Sequence, residues 1–298
     1  MEITRYQDLF NSIGAPPGGV FIIGRTRSKI LLQLPEYKES KDNRGEYKFL
    51  KPKECRQRLS RLKKEFPKVV IDMDKYDGID QENEGACSFC AFLNMIHLTK
   101  NDWLFNISKE TIEQRKKSKK SVDVWTIVKE SWKTLWKNTK CEAKTPGGTI
   151  CAAKSIAHVL DNALTHNIVK DFTKMIEYVP IRDFSDKYYN ARFQGGTFDD
   201  VVRNIQKYIE GTLDRGIPIM INYGEHTRVA IGYNEDRLLF ADSWGKFYSE
   251  KSKDGTDINE AGFSHVNKWM IYSFCRDTAY FEDSVGIANS VGIAKLKL

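Results

Sequence analysis

The amino-acid sequence predicts an α+β fold with a mostly helical first half and a mostly antiparallel β second half. Apolar residues recur at helical spacing up to about residue 214 and alternate with a period of two beyond Gly216. Hydrophobic residues are 41% of the 298 residues, enough for a substantial core. Helices and strands segregated along a chain are typical of the α+β class, and here they predict a helical lobe at about 81–195 and a β-rich lobe at about 196–275. Active sites tend to lie in the cleft between such lobes.

Four helices are predicted after residue 86. Residues 87–98 (CSFCAFLNMIHL) form an apolar run that is long for a strand and suited to a buried helix. Residues 121–138 place valine, isoleucine, leucine and tryptophan side chains on one helical face, the pattern of a helix packed on a core. Residues 150–164 and about 197–214 predict two more helices, and Thr197 is a suitable N-terminal cap for the last one.

Four strands are predicted beyond Gly216, at residues 217–222, 226–233, 237–242 and 268–274. Turns rich in Asn, Asp and Gly separate these apolar runs. Short turns of this kind favour antiparallel pairing between strands that follow one another in the chain.

Residues 1–65 are predicted to form an N-terminal extension to a main domain of residues 66–298. The extension contains two strand-like runs (20–24 and 30–34) and a basic segment at 51–64, with seven basic side chains and one acidic. Basic runs can bind nucleic acid, but a solvated helix face is the commoner explanation, and no aromatic residue is interleaved with these charges. We therefore expect no nucleic-acid binding, and we expect the extension to regulate the main domain.

The composition argues against several classes of protein. No apolar run approaches the roughly 18 residues of a transmembrane helix, and the first residues lack the apolar block of a secretory signal. Six cysteines are few for a disulfide scaffold, and no second ligand pair accompanies Cys87 and Cys90 at the spacing of a zinc site. We therefore expect a protein of the cytoplasm or another reducing compartment, with no membrane anchor and no metal.

Cys87 follows a polar loop and begins the predicted helix at 87–98. A helix N-terminus presents unpaired N–H groups and a partial positive charge, which lower the pKa of a thiol and favour the nucleophilic thiolate. The same N–H groups can stabilise the oxyanion that forms when the thiolate attacks a carbonyl. Gly85 allows close approach of a substrate, and the side-chain amide of Gln81 is a candidate second oxyanion donor. Cys87 is therefore a candidate nucleophile.

His226 begins a predicted strand 139 residues after Cys87, and Asp242 ends the next strand 16 residues later. Adjacent antiparallel strands would place these two side chains together, so that an imidazole nitrogen can donate to the carboxylate. Such a hydrogen bond holds the ring in one orientation and stabilises its cationic form. The spacing therefore predicts a Cys–His–Asp triad.

These motifs resemble those of the papain family of cysteine proteases. That family has a glutamine, a glycine-rich loop and a cysteine before its central helix, a histidine on a strand that ends in Gly-Tyr, and then an Asn-Ser-Trp-Gly motif. The corresponding residues here are Gln81 to Cys87, His226 before Gly232-Tyr233, and Asp242-Ser243-Trp244-Gly245. The Cys–His separation of 139 residues falls in the family's range of about 130–150. The resemblance covers roughly residues 66–275.

The resemblance implies a two-lobed papain-like fold and a thiol protease that hydrolyses protein or peptide substrates through a thioester, without a metal or an organic cofactor. The residues that it implicates are the nucleophile Cys87, the general base and acid His226, the orienting residue Asp242, the oxyanion donor Gln81 and Trp244, which would cover the His–Asp hydrogen bond. A looser match to the family's Gly-Gly pair implies substrate binding by Gly147 and Gly148, for which an ordinary helix-entry turn is an equal explanation.

The sequence departs from the family pattern at several positions. Glu84 and Ser88 stand where many members have a disulfide cysteine and a tryptophan, which fits a reducing compartment. Asp242 stands where the family usually has asparagine, and a carboxylate should stabilise the thiolate–imidazolium pair more strongly. The form of the Gln81–Cys87 segment is closer to prokaryotic and viral members than to animal cathepsins, so a viral origin is one expectation.

Several alternatives remain open. Cys90 could be aligned as the nucleophile, but Glu84 would then occupy the oxyanion position and repel the intermediate, and Cys90 would lie one turn inside the helix. The same triad could also serve a deubiquitinase-like isopeptidase or an acyl transferase. A catalytically silent relative that only binds a partner is a further alternative, although such a protein has no need to retain Cys87, His226, Asp242 and Gln81 together.

Overall fold

The computed structural model of the protein describes ten segments of the chain. They are residues 47–81, 86–139, 142–145, 148–151, 156–171, 174–180, 198–223, 226–251, 257–272 and 292–296. Helices and an antiparallel sheet of nine strands occur within them, which confirms the predicted α+β class. The predicted strand runs at 20–24 and 30–34 lie outside the described residues. None of the helices in the described segments is long and apolar enough to cross a membrane.

The described residues form the following elements in chain order. They are β1 (Tyr47–Phe49), α1 (Pro52–Glu65), α2 (Cys87–Leu98), a 3-10 turn (Asp102–Leu104), α3 (Lys109–Lys117), α4 (Val124–Asn138), β2 (Glu142–Thr145), β3 (Gly148–Cys151), α5 (Ile156–Thr165), β4 (Ile176–Pro180), α6 (Phe198–Asp214), β5 (Ile219–Tyr223), β6 (His226–Tyr233), β7 (Arg237–Ala241), β8 (Tyr248–Lys251), β9 (Asp257–Glu260), β10 (Phe263–Asn267) and β11 (Gly292–Leu296).

The large sheet has the strand order β1-β8-β9-β10-β7-β6-β5-β11-β4, and β2 and β3 form a separate hairpin. Side chains alternate across the sheet, so it has two apolar faces. Val229 and Leu239 belong to the face that packs against α2 and α5, and α4 packs in turn on α2. Ala230 and Phe240 belong to the opposite face, which packs against α6. The central strands of the sheet are therefore covered by helices on both faces.

The helix α2 lies in the middle of the larger core. It is apolar around its whole circumference and is buried from Ser88 to Ile96, as expected for a helix without a solvent-facing side. The hydroxyl groups of Ser88 and Thr227 are 2.6 Å apart, so the start of α2 is tied to the start of β6. This contact brings the first turn of the helix to the end of the sheet where β6 begins.

Two of the predicted elements are wrong in part. The strand predicted at 268–274 is instead a helical turn at 268–272, begun by a hydrogen bond from the Trp269 N–H to Asn267 Oδ1. The strand in this part of the chain is β10, which lies just before the predicted position. Its residues Phe263–Val266 are buried on both faces, so they lack a polar–apolar alternation. The helix predicted at 150–164 starts only at Ile156, because Ile150 and Cys151 pair with β2 in the hairpin.

The described part of the predicted N-terminal extension packs into the main domain. The strand β1 pairs with β8, and Leu62 of α1 is completely buried in the larger core. Arg58 and Arg61 of α1 form ion pairs with Glu260, a fully buried carboxylate on β9. The boundary at residue 65 is therefore not a gap in the packing, while the regulatory role of residues 1–65 stays a prediction.

Candidate active site

Cys87 is the first residue of α2 and is half-buried. The preceding residue is Ala86, so no side chain caps the helix at that end. The N–H groups of the first turn therefore keep their partial positive charge beside the sulfur. This is the position that the sequence predicts for a reactive cysteine.

His226 and Asp242 are joined by a hydrogen bond of 2.8 Å between Nε2 and Oδ1. His226 begins β6 and Asp242 directly follows β7, and these strands pair antiparallel with Val229 opposite Ala241. Both side chains are almost completely buried, at 3% and 2% exposure, so little water competes for the hydrogen bond. The pairing of these two strands, which the sequence predicts, is confirmed.

The Cys87 thiol and the His226 ring interact, and each shifts the pKa of the other. Because Asp242 engages Nε2, Nδ1 is the ring nitrogen that remains for the sulfur. Burial by itself raises the pKa of Cys87, but the hydrogen bond to His226 and its positive charge outweigh burial and lower that pKa. Burial by itself lowers the pKa of His226, but the charge and hydrogen bond of Asp242 raise it to about 9. Both shifts favour a thiolate–imidazolium pair at neutral pH.

Asp242 remains ionised although it is buried. Burial raises its pKa, but the charges of His226 and then Arg228 outweigh that effect and lower the pKa to about 2. Arg228 Nε lies 3.2 Å from Asp242 Oδ2. Arg228 Nη2 lies 2.7 Å from Oδ2 of Asp257, another buried carboxylate. The residue that orients His226 is thus part of a longer row of buried charges.

Gln81 lies against the loop that follows Asp242. Its backbone N–H donates to the Ser243 carbonyl at 2.7 Å, and its side-chain Oε1 accepts from Ser243 Oγ at 2.5 Å. Because the oxygen end of the amide is held by a hydroxyl donor, the NH2 end is directed away from Ser243. The amide is therefore oriented as a hydrogen-bond donor, which is the role that the resemblance implies for Gln81.

Trp244 packs on the ring of His226, with ring centroids 4.9 Å apart. The chain then turns at Gly245, whose φ of +86° is a conformation that side chains rarely adopt. A Cβ at Gly245 would also lie 2.2 Å from Oδ2 of Asp80, the residue before Gln81. The glycine thus allows the loop that carries Trp244 to pass close to the segment that carries Gln81.

Cys90, the alternative nucleophile, is fully buried in the larger core. Burial raises its pKa well above the ordinary range, and no imidazole contributes to lowering it. A buried thiol of this kind is an apolar packing residue. The geometry therefore favours Cys87 over Cys90.

The structure does not test the two glycines implied in substrate binding. Gly147 and the four residues 82–85, which include Gly85, lie outside the described residues. Gly148 begins β3, where it is paired with Thr145. In the ten segments that the structure describes, no group of three or more His, Cys, Asp or Glu side chains is arranged to hold a metal ion.

Three contributors to the site are absent from the sequence prediction. Ser243 orients Gln81, and Arg228 contacts Asp242. Thr227 ties α2 to β6 through Ser88, and its backbone helps to lower the pKa of the Cys87 thiol. Thr227 and Arg228 directly follow the candidate histidine, so their places on the strand could have been predicted from the sequence. Residues i and i+2 of a strand share a face, so an arginine at 228 is placed beside the partner of His226.

No known protein-family model matches this chain, and no curated protein is significantly similar to it. The chemistry of the site is therefore inferred from the residues themselves and from their geometry.

Proposed function

We propose that the protein is a papain-like cysteine protease that hydrolyses peptide bonds through Cys87, His226 and Asp242. The observation that supports this most strongly is the continuous chain of contacts from the Cys87 thiol to His226 and from His226 Nε2 to Asp242 Oδ1 at 2.8 Å. A half-buried thiol with a lowered pKa, at an uncapped helix N-terminus, is a nucleophile prepared for carbonyl attack.

The reaction would proceed in two steps. The Cys87 thiolate attacks the carbonyl carbon of the scissile bond, a C–S bond forms, and the carbonyl oxygen becomes an oxyanion. The His226 imidazolium then gives its proton to the leaving amine as the C–N bond breaks, which leaves a thioester on Cys87. In the second step His226 takes a proton from water, the resulting hydroxide attacks the thioester, and the C–S bond breaks to release a carboxylic acid.

The oxyanion would be stabilised by two donors. One is the N–H at the start of α2, and the other is the side-chain amide of Gln81, whose orientation is fixed by Ser243. Donors that are held before the reaction stabilise the developing charge without reorganising.

The proposed architecture is the two-lobed papain-like arrangement. Its support is the position of α2, which begins at Cys87 and contacts β6 at the end that carries His226. Helices after α2 would form one wall of a substrate cleft, and the loop at Asp242–Trp244 would form the other. Protein or peptide substrates would lie between them, and no metal or organic cofactor takes part in this mechanism.

A reactive epoxide probe combined with a peptide library tests the proposal. The wild-type protein should be labelled at Cys87 near neutral pH and should cleave a subset of the peptides. Cys87→Ala should abolish both labelling and cleavage. Cys90→Ala is the matched control, because it removes a thiol one helical turn away and should leave both properties in place.

Other outcomes would change the assignment. Labelling that moves with Cys90 would make Cys90 the nucleophile. Labelling at Cys87 with cleavage only of ubiquitin-like isopeptide substrates, or with transfer to an amine or alcohol, would identify an isopeptidase or an acyl transferase. Labelling without turnover of any substrate would favour a protein that only binds a partner.

A further inference from the structure

The buried charges behind His226 extend beyond the three residues of the triad. From His226 the row continues through Asp242 to Arg228 and then to Asp257, with contacts of 2.8, 3.2 and 2.7 Å. The four side chains are between 2% and 6% exposed. Four charged groups are seldom buried together without a reason, because each loses its hydration.

The sheet register explains why Arg228 meets Asp242. On the strands β6 and β7, Val229 is opposite Ala241. Continuing that register by one residue places Arg228 opposite Asp242, and directly opposite residues lie on the same face of a sheet. His226 is two residues before Arg228 and shares that face. The arginine and the histidine thus approach the same carboxylate from neighbouring positions of one strand.

The two oxygens of Asp242 have different partners. Oδ1 accepts from His226 Nε2, whereas the buried Oδ2 lies 3.2 Å from Arg228 Nε as an ion pair without an aligned hydrogen bond. A carboxylate held at one oxygen alone can rotate about its Cβ–Cγ bond, and an ionic contact at the other oxygen opposes that rotation. The two contacts together therefore restrain the plane of the carboxylate and the direction from which Oδ1 meets the imidazole.

The guanidinium is itself held in place. Nη2 donates to Asp257 Oδ2, and the guanidinium carbon lies 5.8 Å from the centre of the Phe240 ring. The planar fork of arginine allows one side chain to contact two carboxylates at once, which the single ammonium group of lysine does less well. Asp257 also offsets the positive charge of Arg228, which would otherwise oppose the imidazolium of His226.

We propose that Arg228 is a positioning residue for the triad, which Asp257 anchors and which fixes the Asp242 carboxylate so that Oδ1 receives the His226 Nε2–H. This inference rests on the proposed function, and it accounts for aspartate at a position where the papain family usually has asparagine. An aspartate at this position has two equivalent oxygens and carries a buried negative charge. Arg228 restrains the oxygens and neutralises the charge.

The test compares Arg228→Lys with a control variant in the same sheet. Lysine keeps the buried positive charge and most of the side-chain volume, but it has no second nitrogen to hold Oδ2 while it contacts Asp257. The control is Glu260→Gln on β9, the strand that also carries Asp257, because it breaks a different buried ion pair and does not touch His226. A balanced double variant, Arg228→Gln with Asp257→Asn, removes the positive and the negative charge together.

Two readouts separate positioning from a merely structural role. The first is kcat per labelled active site, which should fall about tenfold or more in Arg228→Lys with KM within twofold of wild type. The second is the proton NMR signal of the His226 Nε2–H, which should be protected from exchange in wild type and in Glu260→Gln. In Arg228→Lys and in the double variant, this signal should broaden or disappear because the carboxylate no longer holds the proton.

Specific results would overturn the proposal. One is an unchanged His226 N–H signal together with a kcat within twofold of wild type in the folded variants. The other is failure of Arg228→Lys to fold, because the guanidinium would then be a requirement of the fold. The NMR signal needs no turnover, so it separates this proposal from the proposed function. A wild-type protein with a protected His226 N–H that cleaves nothing would contradict protease activity and not the positioning by Arg228.

Discussion

Replacing Asp242 by asparagine separates the charge of the orienting residue from its hydrogen bond. Asparagine keeps an oxygen for His226 Nε2–H and removes the negative charge. The pKa of His226 is raised from 6.5 to about 9. At roughly 1.4 kcal/mol for each pKa unit, the protein stabilises the imidazolium by about 3 kcal/mol in total. Both side chains are buried, so solvent screens little of this interaction.

Without the charge of Asp242, burial should again dominate the titration of His226. We expect the midpoint in Asp242→Asn to fall from about 9 to 6.5 or below. At pH 8 the imidazolium fraction would then fall from about nine-tenths to a few hundredths. The thiolate of Cys87 depends on that cation, so its alkylation should require a higher pH than in wild type.

The assay is an NMR titration of the His226 ring, with the signal assigned by its loss in His226→Gln. Asp80→Asn is the control, because Asp80 is an exposed carboxylate near Gly245 that does not contribute to the His226 shift. A midpoint in Asp242→Asn that stays within half a unit of wild type would refute the role assigned to the charge of Asp242.

The pKa shifts of His226 and Asp242 also determine how the free energy of unfolding changes with pH. The folded-state pKa of His226 is raised, so its contribution to the free energy of unfolding is complete below pH 6.5 and is lost as the pH rises through about 9. The folded-state pKa of Asp242 is lowered to about 2, so its own contribution is present above pH 3.8 and is lost as the pH falls toward 2. The difference in unfolding free energy between wild type and Asp242→Asn should therefore be largest near pH 6 and should shrink toward pH 9.

Three further predictions follow from individual contacts. Gly245→Ala and Gly216→Ala both place a side chain at positive φ (+86° and +78°), so each should lower the unfolding free energy by about 1–2 kcal/mol. Only the new side chain at 245 meets Asp80, so only Gly245→Ala should slow the labelling of Cys87 by an epoxide. Equal labelling rates in the two variants would contradict this prediction. Gln81→Ala should lower kcat about 100-fold and Ser243→Ala less, with no added loss in the double variant, whereas additive losses would show that Ser243 does not act through Gln81. Glu260→Gln should lower the unfolding free energy, measured in urea, by about 2 kcal/mol. This is less than the usual cost of breaking a buried ion pair, because Arg58 and Arg61 are partly exposed. An unchanged urea midpoint of unfolding would contradict the prediction.

The elements that carry the site are those the sequence predicts best. Residues 87–98 and 226–233 have strong apolar patterns, and both have the predicted bounds. The strand β10 escaped prediction because it is buried on both faces, so Ser264 and His265 hide its pattern. Strand β11 pairs with β4 and β5, and β8 pairs with β1 on one side, so these strands depend on neighbours distant in the chain, which local periodicity does not reveal.

The triad was predictable because its three members have distinctive chemistry and spacing. The supporting contacts were less accessible, because their meaning depends on partners that only the fold supplies. Arg228 in isolation is an ordinary strand residue, and its role emerges from the register that sets it opposite Asp242. Asp257 lies a further 29 residues along the chain from Arg228, with no local motif to connect them.

Brief alkylation by iodoacetamide at pH 6, followed by mass-spectrometric mapping of all six cysteines, measures the central claim most directly. An imidazolium-stabilised thiolate should make Cys87 the first cysteine to be modified, by a factor of about 100 over an ordinary thiol, and His226→Ala should remove that advantage. Modification of Cys87 at the rate of an ordinary thiol, or an undiminished rate in His226→Ala, would contradict the thiolate–imidazolium pair on which the proposed protease chemistry depends.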